Sequence, residues 1–381
     1  SYENPEMTTA PEFRSYDDAL GEISRIAKNQ RVVFVIDEYP YLAAADPSIS
    51  SRLQHLIDHV WSESKLYLIL CGSSMSFMEY QVLGYESPLY GRRTAQFKVE
   101  PLTYKETAEF NPSLSNEQNA LVYGITGGVP HYINKLAVQD NLDEALLENL
   151  FDRSSYLFEE PENLLKQEVR EPALYNAIIT AIATGASRMS EISGKVGEST
   201  NICSAYVKNL ISLGIIEKET PYGEKASRKA VYTIADNMFR FWYRFVPENN
   251  SIIARGAADL AYKRIEPHLS DYMGKVFEEI CKQYLWKLLL NGECPVEFSS
   301  LGRWWGNDPK EKRQTEIDIL AEQDKSTALF GECKWTNEKV DLGVLETLVK
   351  RSELFPYKNV HYYLFAKTGF TKGCIDRAKE V

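Results

Sequence analysis

Two short apolar runs near the amino terminus predict neighbouring strands of a sheet. Residues 32–36 (VVFVI) and 66–71 (LYLILC) are too short for ordinary helices, and the first is rich in β-branched side chains, which favours a strand buried on both faces. Amphipathic stretches at 15–28 and 50–62 predict helices before and between these strands. A third run, at 96–100, also has strand character. The pattern is that of an α/β sheet.

The middle of the chain changes to helical periodicity. Residues 103–150 are helical throughout, and a charged, proline-containing stretch at 151–175 predicts an interdomain helix and linker. Three further helices are followed by two strands, which is the order of a winged helix-turn-helix. These five elements are predicted at 175–184, 189–196, 199–213, 215–219 and 230–234.

The last third of the chain predicts a second α/β domain. A long helix is followed by three strands, a helix and a fourth strand, and this αβββαβ order is similar to the restriction-endonuclease-like core. The predicted helices lie at 271–290 and 342–354, and the strands at 295–299, 315–321, 327–334 and 360–366.

Polar side chains follow the first two predicted strands at their carboxyl ends. Asp37 and Glu38 come directly after the first strand, and Ser73 and Ser74 follow the second. Open α/β sheets bind ligands in the crevice beyond the carboxyl ends of their strands. A carboxylate there can hold Mg²⁺, and a second can polarise a water that attacks a phosphate. The alternative is a core strand that runs by chance into an acidic loop.

Two further motifs follow in order along the chain. Arg92 and Arg93 precede the run at 96–100, where a cation could reach a nucleotide phosphate, although a surface arginine pair would also explain them. Gly127 and Gly128 lie in the sequence TGGVP, directly before a predicted helix. Together with the acidic DEYP box, these motifs resemble the DEXX-box AAA-type ATPases of the STAND-related group.

This resemblance implies a nucleotide site with ATP and Mg²⁺ as cofactors. In it, Asp37 holds the metal, Glu38 is the catalytic base, and the two serines and two arginines contact the nucleotide. The phosphate-binding loop GxxxxGK(S/T) does not occur in the sequence. Because that loop normally precedes the acidic strand, the resemblance implies that an amino-terminal segment is absent from this chain.

Side-chain alternation predicts a second site in the last third. In TEIDIL, Glu316 and Asp318 are expected on one strand face with both isoleucines in the core, and in GECKW Glu332 and Lys334 share a face. The pattern resembles the PD-(D/E)XK nucleases, and Glu278 on the preceding helix extends the resemblance. It implies that Asp318 and Glu332 hold Mg²⁺ while Lys334 positions the attacking hydroxide, with all four residues serving catalysis. Alternating charges are also common on solvated strands, and many members of that fold lack catalysis.

Nucleic-acid contact is predicted at three places, each with a structural alternative. Helix 199–213 carries only Lys208 as a cation, so the winged helix equally fits a protein-docking module. Five aromatic residues within 239–245 could stack on bases, but their helical spacing favours burial. The basic and aromatic stretches 303–305 and 310–313 are predicted in a loop beside the second site, where they could contact a nucleic-acid backbone.

Composition limits the class of protein. The 381 residues are 44% hydrophobic and 25% charged, as expected of a globular protein with several domains. A net charge of −11 disfavours coating of nucleic acid by bulk electrostatics. The six cysteines lack CxxC spacing, which predicts reduced thiols. No apolar run approaches membrane length and no signal peptide opens the chain, so a cytoplasmic location without a membrane partner is expected.

The sequence therefore predicts an α/β protein in four parts. They are a partial AAA-type P-loop NTPase core at 1–102, a helical lid and linker at 103–170, a winged helix-turn-helix at 171–238 and a PD-(D/E)XK-like domain at 239–381. The expected function is ATP hydrolysis coupled to DNA binding and metal-dependent phosphodiester cleavage, with a homo-oligomer formed through the ATPase core. The alternative is a STAND-like regulatory switch whose carboxy-terminal domain only binds nucleic acid or a protein partner.

Overall fold

The computed structural model describes residues 12–72, 78, 82, 84–136, 141–169, 171–224 and 229–381. The chain divides into two units, Ser1–Val99 and Glu100–Val381. The elements of the first unit are α1 (Tyr16–Ala27), β1 (Val32–Ile36), α2 (Tyr39–Ala45), α3 (Ile49–Leu56) and β2 (Leu66–Leu70). A π-helical turn, Ile57–Trp61, follows α3.

Strands β1 and β2 pair in parallel, as the two apolar runs predict. Phe34 on one face packs against a buried cluster that includes Leu20 and Leu53. On the opposite face Val33 and Val35 are 59% and 49% exposed. The prediction of a strand buried on both faces is therefore wrong for the described part of the chain. The third predicted strand, at 96–100, is also wrong, since this stretch is irregular and exposed.

The second unit begins with a large helical assembly. Its helices are α4 (Tyr104–Ala108), α5 (Asn116–Thr126), α6 (Pro130–Leu136), α7 (Leu142–Leu150), α8 (Tyr156–Glu168), α9 (Pro172–Ala183), α10 (Met189–Val196), α11 (Thr200–Ser212), α12 (Asn237–Ile253) and α13 (Ala258–Leu290). Strands β3 (Ile216–Glu219) and β4 (Val231–Ile234) form an antiparallel hairpin between α11 and α12. The three helices and hairpin follow in the predicted order, and their assignment as a winged helix-turn-helix stays a prediction.

One hydrophobic cluster runs through this helical assembly. It joins side chains from the predicted lid, from α9 to α11 and from α12 and α13. Helix α8 contributes Leu157 and Leu165 to the same cluster, so it packs within the unit instead of linking separate bodies. The aromatic side chains of α12 are buried as expected, and the Trp242 indole donates to the Phe158 carbonyl at 2.7 Å.

A mixed four-stranded sheet forms the carboxy-terminal part of the second unit. The sheet order is β5-β6-β7-β8, with antiparallel pairing except between β7 and β8, which are parallel. The elements are β5 (Gly302–Asp308), β6 (Arg313–Glu322), β7 (Thr327–Lys334), α14 (Leu342–Ser352), β8 (Asn359–Ala366) and α15 (Lys372–Ala378). Together with α13, the sheet gives the predicted αβββαβ order.

The first strand of this sheet lies elsewhere than predicted. Residues 295–299 form no strand, and the stretch 303–305, predicted as a loop, lies inside β5. The physical reason is that Trp304 and Trp305 are strand-forming aromatic residues that pair with Ile317 and Glu316 of β6. Among the helices that the structure describes, none combines the length and apolar character needed to cross a membrane.

Candidate functional site

The first candidate site lies at the carboxyl end of β1. Asp37 Oδ1 accepts the backbone N–H of Glu38 at 3.0 Å and the Cys71 thiol at 3.3 Å. Because Cys71 directly follows β2, Asp37 lies at the edge where the two parallel strands end, as predicted. Ser73 and Ser74, predicted to follow at the same edge, lie outside the described residues.

The backbone at Glu38 is strained. Its φ of 49° lies in the left-handed region, which the described part of the chain otherwise shows at only one non-glycine residue, Lys312. Such positions cost about 1–2 kcal/mol and concentrate at functional sites. The next residues fix the turn, since Tyr39 donates its N–H to the Cys71 carbonyl at 2.9 Å. The acidic pair is thus held by the start of α2 and the end of β2.

A close backbone approach joins the DEYP box to the end of β2. A Cβ atom added to Gly72 would lie 2.4 Å from Pro40 Cδ, which is inside any real contact distance. Tyr39 is fully buried, and its hydroxyl lies 2.6 Å from Ser50 Oγ. Tyr39, Pro40 and Gly72 therefore build the turn, while the two acids remain at its surface.

The predicted arginine pair divides into two different environments. The Arg92 guanidinium forms two 2.8 Å hydrogen bonds with the carboxylate of Asp58, and it also donates to the carbonyls of Pro88 and Tyr90. In this structure Arg92 therefore anchors its own segment to the π-helical turn. Arg93 is exposed.

The TGGVP motif is explained by packing inside the second unit. Gly127 and Gly128 have φ values of 62° and 75°, and the Gly128 carbonyl accepts the N–H of Leu102 at 2.9 Å. A Cβ atom on Gly128 would lie only 1.9 Å from the Leu102 carbonyl oxygen. Helix α6 then begins at Pro130, whose ring suits a first helical position.

The second candidate site is built around a β-bulge in β6. Gly302 pairs with Leu320 whereas Trp304 pairs with Ile317, so one extra residue of β6 is inserted at Asp318 and Ile319. Bulges re-aim side chains and are frequent beside active sites. The prediction that both isoleucines face one core is wrong, because Ile317 and Ile319 pack in different clusters. Glu316, predicted on the Asp318 face, is exposed.

Asp318 is a buried acid with an altered protonation equilibrium. Its side chain is 7% exposed, and Oδ2 accepts the backbone N–H of Cys333 at 2.8 Å. Burial, and next the negative charge of Glu332, raise the pKa of Asp318 to about 6. Both effects disfavour the ionised form, and a cation close to Asp318 would oppose them by stabilising its negative charge.

Glu332 is buried against two cations. Its Oε1 lies 2.6 Å from Lys334 Nζ, and Arg351 Nη1 lies 3.3 and 3.1 Å from Oε1 and Oε2. Burial lowers the pKa of Lys334, but the hydrogen bond and charge of Glu332 outweigh it and raise that pKa overall. Arg351 was not predicted, because nothing in its sequence neighbourhood shows that the last turn of α14 lies over β7.

Glu278 approaches the same region from α13. Burial raises its pKa most, Lys275 lowers it, and the charge of Asp318 raises it further, so Glu278 and Asp318 influence each other. Lys275 Nζ lies 3.4 Å from Glu278 Oε2 and 4.0 Å from Glu219 Oε2. Glu219 in turn accepts a hydrogen bond from Arg303 at 2.9 Å. A chain of alternating charges therefore connects Glu278 with the β3–β4 hairpin.

The hairpin is docked along β5. Tyr222 donates its N–H to the Arg303 carbonyl at 2.9 Å, and its hydroxyl accepts the Glu322 N–H at 3.1 Å. The Trp305 indole donates to the Lys229 carbonyl at 3.2 Å. The described part of the hairpin is therefore bound to the sheet, and residues 225–228 lie outside the described residues.

A divalent cation fits the donors at the bulge. Within the part of the chain that the structure describes, no group of three His, Cys, Asp or Glu side chains is placed to hold a metal. Asp318 and Glu332 nevertheless offer two buried carboxylates whose mutual repulsion a cation would relieve. Mg²⁺ is commonly held by one or two carboxylates and keeps several waters. The donor set therefore suits Mg²⁺ with two protein ligands.

Comparison with known proteins supplies relatives for both units. Residues 5–136 match an ATPase domain found predominantly in Archaea, and residues 242–345 match DUF234, a family of archaeal and bacterial proteins of unknown function. The chain is 36% identical over 311 residues to uncharacterized protein MJECL04 of Methanocaldococcus jannaschii. The aligned region covers 81% of this chain and 68% of that protein.

Two shorter or weaker similarities accompany these matches. Uncharacterized protein MJ0424 of the same organism is 31% identical over 72 residues, or 18% of this chain and 70% of that protein. A solved Walker-type ATPase of Pyrococcus abyssi, PABY2304, has a TM-score of 0.48 and 20% identity, over 63% of this chain and 73% of that chain.

Proposed function

Since this chain belongs to the family of uncharacterized protein MJECL04 of Methanocaldococcus jannaschii and joins an archaeal ATPase domain to a DUF234 domain, we propose that it couples ATP hydrolysis to a metal-dependent nuclease site. The observation that carries the second half of this proposal is the buried pair Asp318 and Glu332, with Lys334 and Arg351 beside it. DNA is the proposed partner.

Each residue at the bulge has a distinct proposed role. Asp318 and Glu332 hold Mg²⁺, which when bound supplies a water of lowered pKa and charge stabilisation at the phosphate. Lys334, hydrogen-bonded to Glu332 at 2.6 Å, adds positive charge where a phosphodiester gains negative charge. Glu278, which pairs with Lys275, is proposed as a third acidic residue of the site beside Asp318 and Glu332.

The ATPase half of the proposal rests on the edge of the parallel sheet. Asp37 is proposed as the ligand of nucleotide-bound Mg²⁺, Glu38 as the base that polarises the attacking water, and Arg93 as the exposed cation available to a phosphate. In the intact protein, we expect Glu38→Gln to lower ATP turnover about 10²- to 10⁴-fold, because an amide cannot accept the proton. The matched control is Glu63→Gln, which changes an exposed acid of the same unit. Equal loss in both variants would show that Glu38 has no special role.

The nuclease half is tested by cleavage of labelled DNA. The intact protein is incubated with duplex, branched and single-stranded DNA and Mg²⁺ or Mn²⁺, and wild type is compared with Asp318→Asn and Lys334→Ala. We expect both variants to lose at least about 100-fold in rate, since they remove a metal ligand and a charge at the phosphate. Glu316→Gln, an exposed acid two residues away, should keep wild-type activity. Equal cleavage by all four proteins would refute the proposal, as would no cleavage by wild type.

The rival function is a nucleotide-driven switch whose carboxy-terminal sheet only binds nucleic acid or a protein. Two observations favour it: Glu332 is already neutralised by two cations, and the hairpin is docked on β5 through Tyr222. Under this alternative the wild-type protein binds DNA with an affinity that changes on adding ATP, and it cleaves none of the three substrates.

A further inference from the structure

Arg351 occupies both oxygens of the proposed metal ligand Glu332. Its Nη1 lies 3.1 Å from Oε2 and 3.3 Å from Oε1, whereas Lys334 Nζ lies 2.6 Å from Oε1 alone. The Glu332 side chain is 7% exposed, so water does not compete effectively for these oxygens. The carboxylate proposed to bind a cation is therefore held by two positive groups.

A divalent ion that binds Glu332 would be repelled by both of these positive groups, and displacing one of them would relieve that repulsion. The Arg351 contacts are longer than that of Lys334, and Arg351 alone reaches Oε2. Departure of Arg351 would free Oε2 for the metal and keep the shorter contact of Lys334 with Oε1. Arg351 is thus the partner that can leave at the lower cost.

A guanidinium released from Glu332 could bind a phosphate group at the surface of the sheet. Its side chain is 24% exposed, so it already reaches the surface of the sheet beside Lys334. Guanidinium groups bind phosphate oxygens through two parallel N–H donors, which a lysine cannot do. Metal binding at Asp318 and Glu332 adds positive charge, which further favours a phosphate over a carboxylate as the partner of Arg351.

We propose that Arg351 competes with the metal for Glu332 and, once displaced, binds a phosphate group of the nucleic-acid substrate. This inference rests on the proposed function of the same site. It assigns a residue in the last turn of α14 to substrate positioning. It also predicts that removing the Arg351 guanidinium strengthens metal binding and weakens DNA binding.

The test measures metal binding and DNA binding separately. The intact protein is titrated with Mn²⁺ alone by calorimetry, and the signal lost in Asp318→Asn identifies this site. DNA affinity is then measured with Ca²⁺ in place of Mg²⁺. We expect Arg351→Met to bind Mn²⁺ about tenfold more tightly, because the ion no longer has to displace the contact between Arg351 and Glu332. A change of about tenfold is the size expected for one charged hydrogen bond. The same variant should bind DNA about tenfold more weakly in the presence of metal.

The matched control is the neighbouring cation on the same helix. Lys350 pairs with Glu311 at 2.6 Å, so Lys350→Met makes the same change of net charge without touching Glu332. It should shift neither affinity by more than about twofold. Arg351→Lys should keep metal affinity close to wild type and lose most of the DNA affinity, because the forked donor is gone.

The outcomes separate this inference from the proposed function. If Asp318-dependent Mn²⁺ binding exists but is unchanged or weaker in Arg351→Met, Arg351 is only structural and the inference is refuted while the metal site stands. Unchanged DNA affinity in that variant refutes the phosphate contact. If no protein of the series shows Asp318-dependent metal binding, both the site and the inference fail. Thermal melting of each variant excludes unfolding as the cause.

Discussion

Replacing Asp318 by asparagine should stabilise the protein at neutral pH. Asp318 is 7% exposed and its pKa is raised to about 6, chiefly by burial and then by the charge of Glu332. The folded protein therefore keeps a proton that the unfolded chain releases near its ordinary pKa of 3.8. Asparagine cannot ionise, and its carbonyl can still accept the N–H of Cys333.

The sign and the size of this change in the free energy of unfolding follow from proton linkage. Below about pH 4 the acid is protonated in both states and the variant gains nothing. Between about pH 4 and pH 6 the wild type loses stability as the pH rises, because only its folded state holds the proton. Above pH 6 the full penalty applies, and a shift of about two units corresponds to about 3 kcal/mol. Allowing about 1 kcal/mol for an imperfectly paired amide, Asp318→Asn should gain about 2 kcal/mol at pH 7.5.

The assay is urea unfolding at pH 4, 5.5 and 7.5, followed by tryptophan fluorescence, with and without Mg²⁺. The difference between variant and wild type should rise across this series and shrink when Mg²⁺ is added, since the metal binds only the folded wild type. Glu332→Gln is the contrasting variant. It leaves Lys334 and Arg351 without their carboxylate and should lose about 2 kcal/mol at pH 7.5. A pH-independent effect of Asp318→Asn would refute the proposed environment of this acid.

Further predictions concern the TGGVP motif and the docked β3–β4 hairpin. Gly128→Ala should lose roughly 3–5 kcal/mol in thermal or urea unfolding, because its Cβ would meet the Leu102 carbonyl at 1.9 Å, whereas Gly127→Ala, whose nearest contact is 3.5 Å, should lose about 1 kcal/mol. Equal losses would contradict the close approach. Tyr222→Phe should lose about 0.5 kcal/mol, since the exposed Glu322 N–H exchanges its protein acceptor for water. No change in the unfolding midpoint would show that the Tyr222 hydroxyl does not stabilise the docked hairpin.

Local patterns were sufficient for much of the fold. The run at 32–36, its acidic end and the second strand are visible as short apolar segments, and the structure pairs them in parallel. The order αβββαβ also follows from periodicity. The position of β5 does not, because 295–299 and 302–308 both contain strand-forming residues, and only the pairing of Trp304 with Ile317 decides between them.

The site itself was predicted only in part. Asp318, Glu332 and Lys334 follow from spacing, but strict alternation fails at the bulge, which depends on how β5 pairs and not on the β6 sequence. Arg351 depends on where α14 crosses the sheet, which no local pattern specifies. The buried state of Asp318, which determines its pKa, is likewise a property of the packed sheet.

Anomalous diffraction from crystals of the intact protein soaked in Mn²⁺ tests the central claim most directly. We predict a manganese peak in contact with carboxylate oxygens of both Asp318 and Glu332, with the Arg351 guanidinium moved away from Glu332 and Lys334 still beside it. A peak absent from this position, with Arg351 still bound to both oxygens of Glu332, would contradict the proposed metal site.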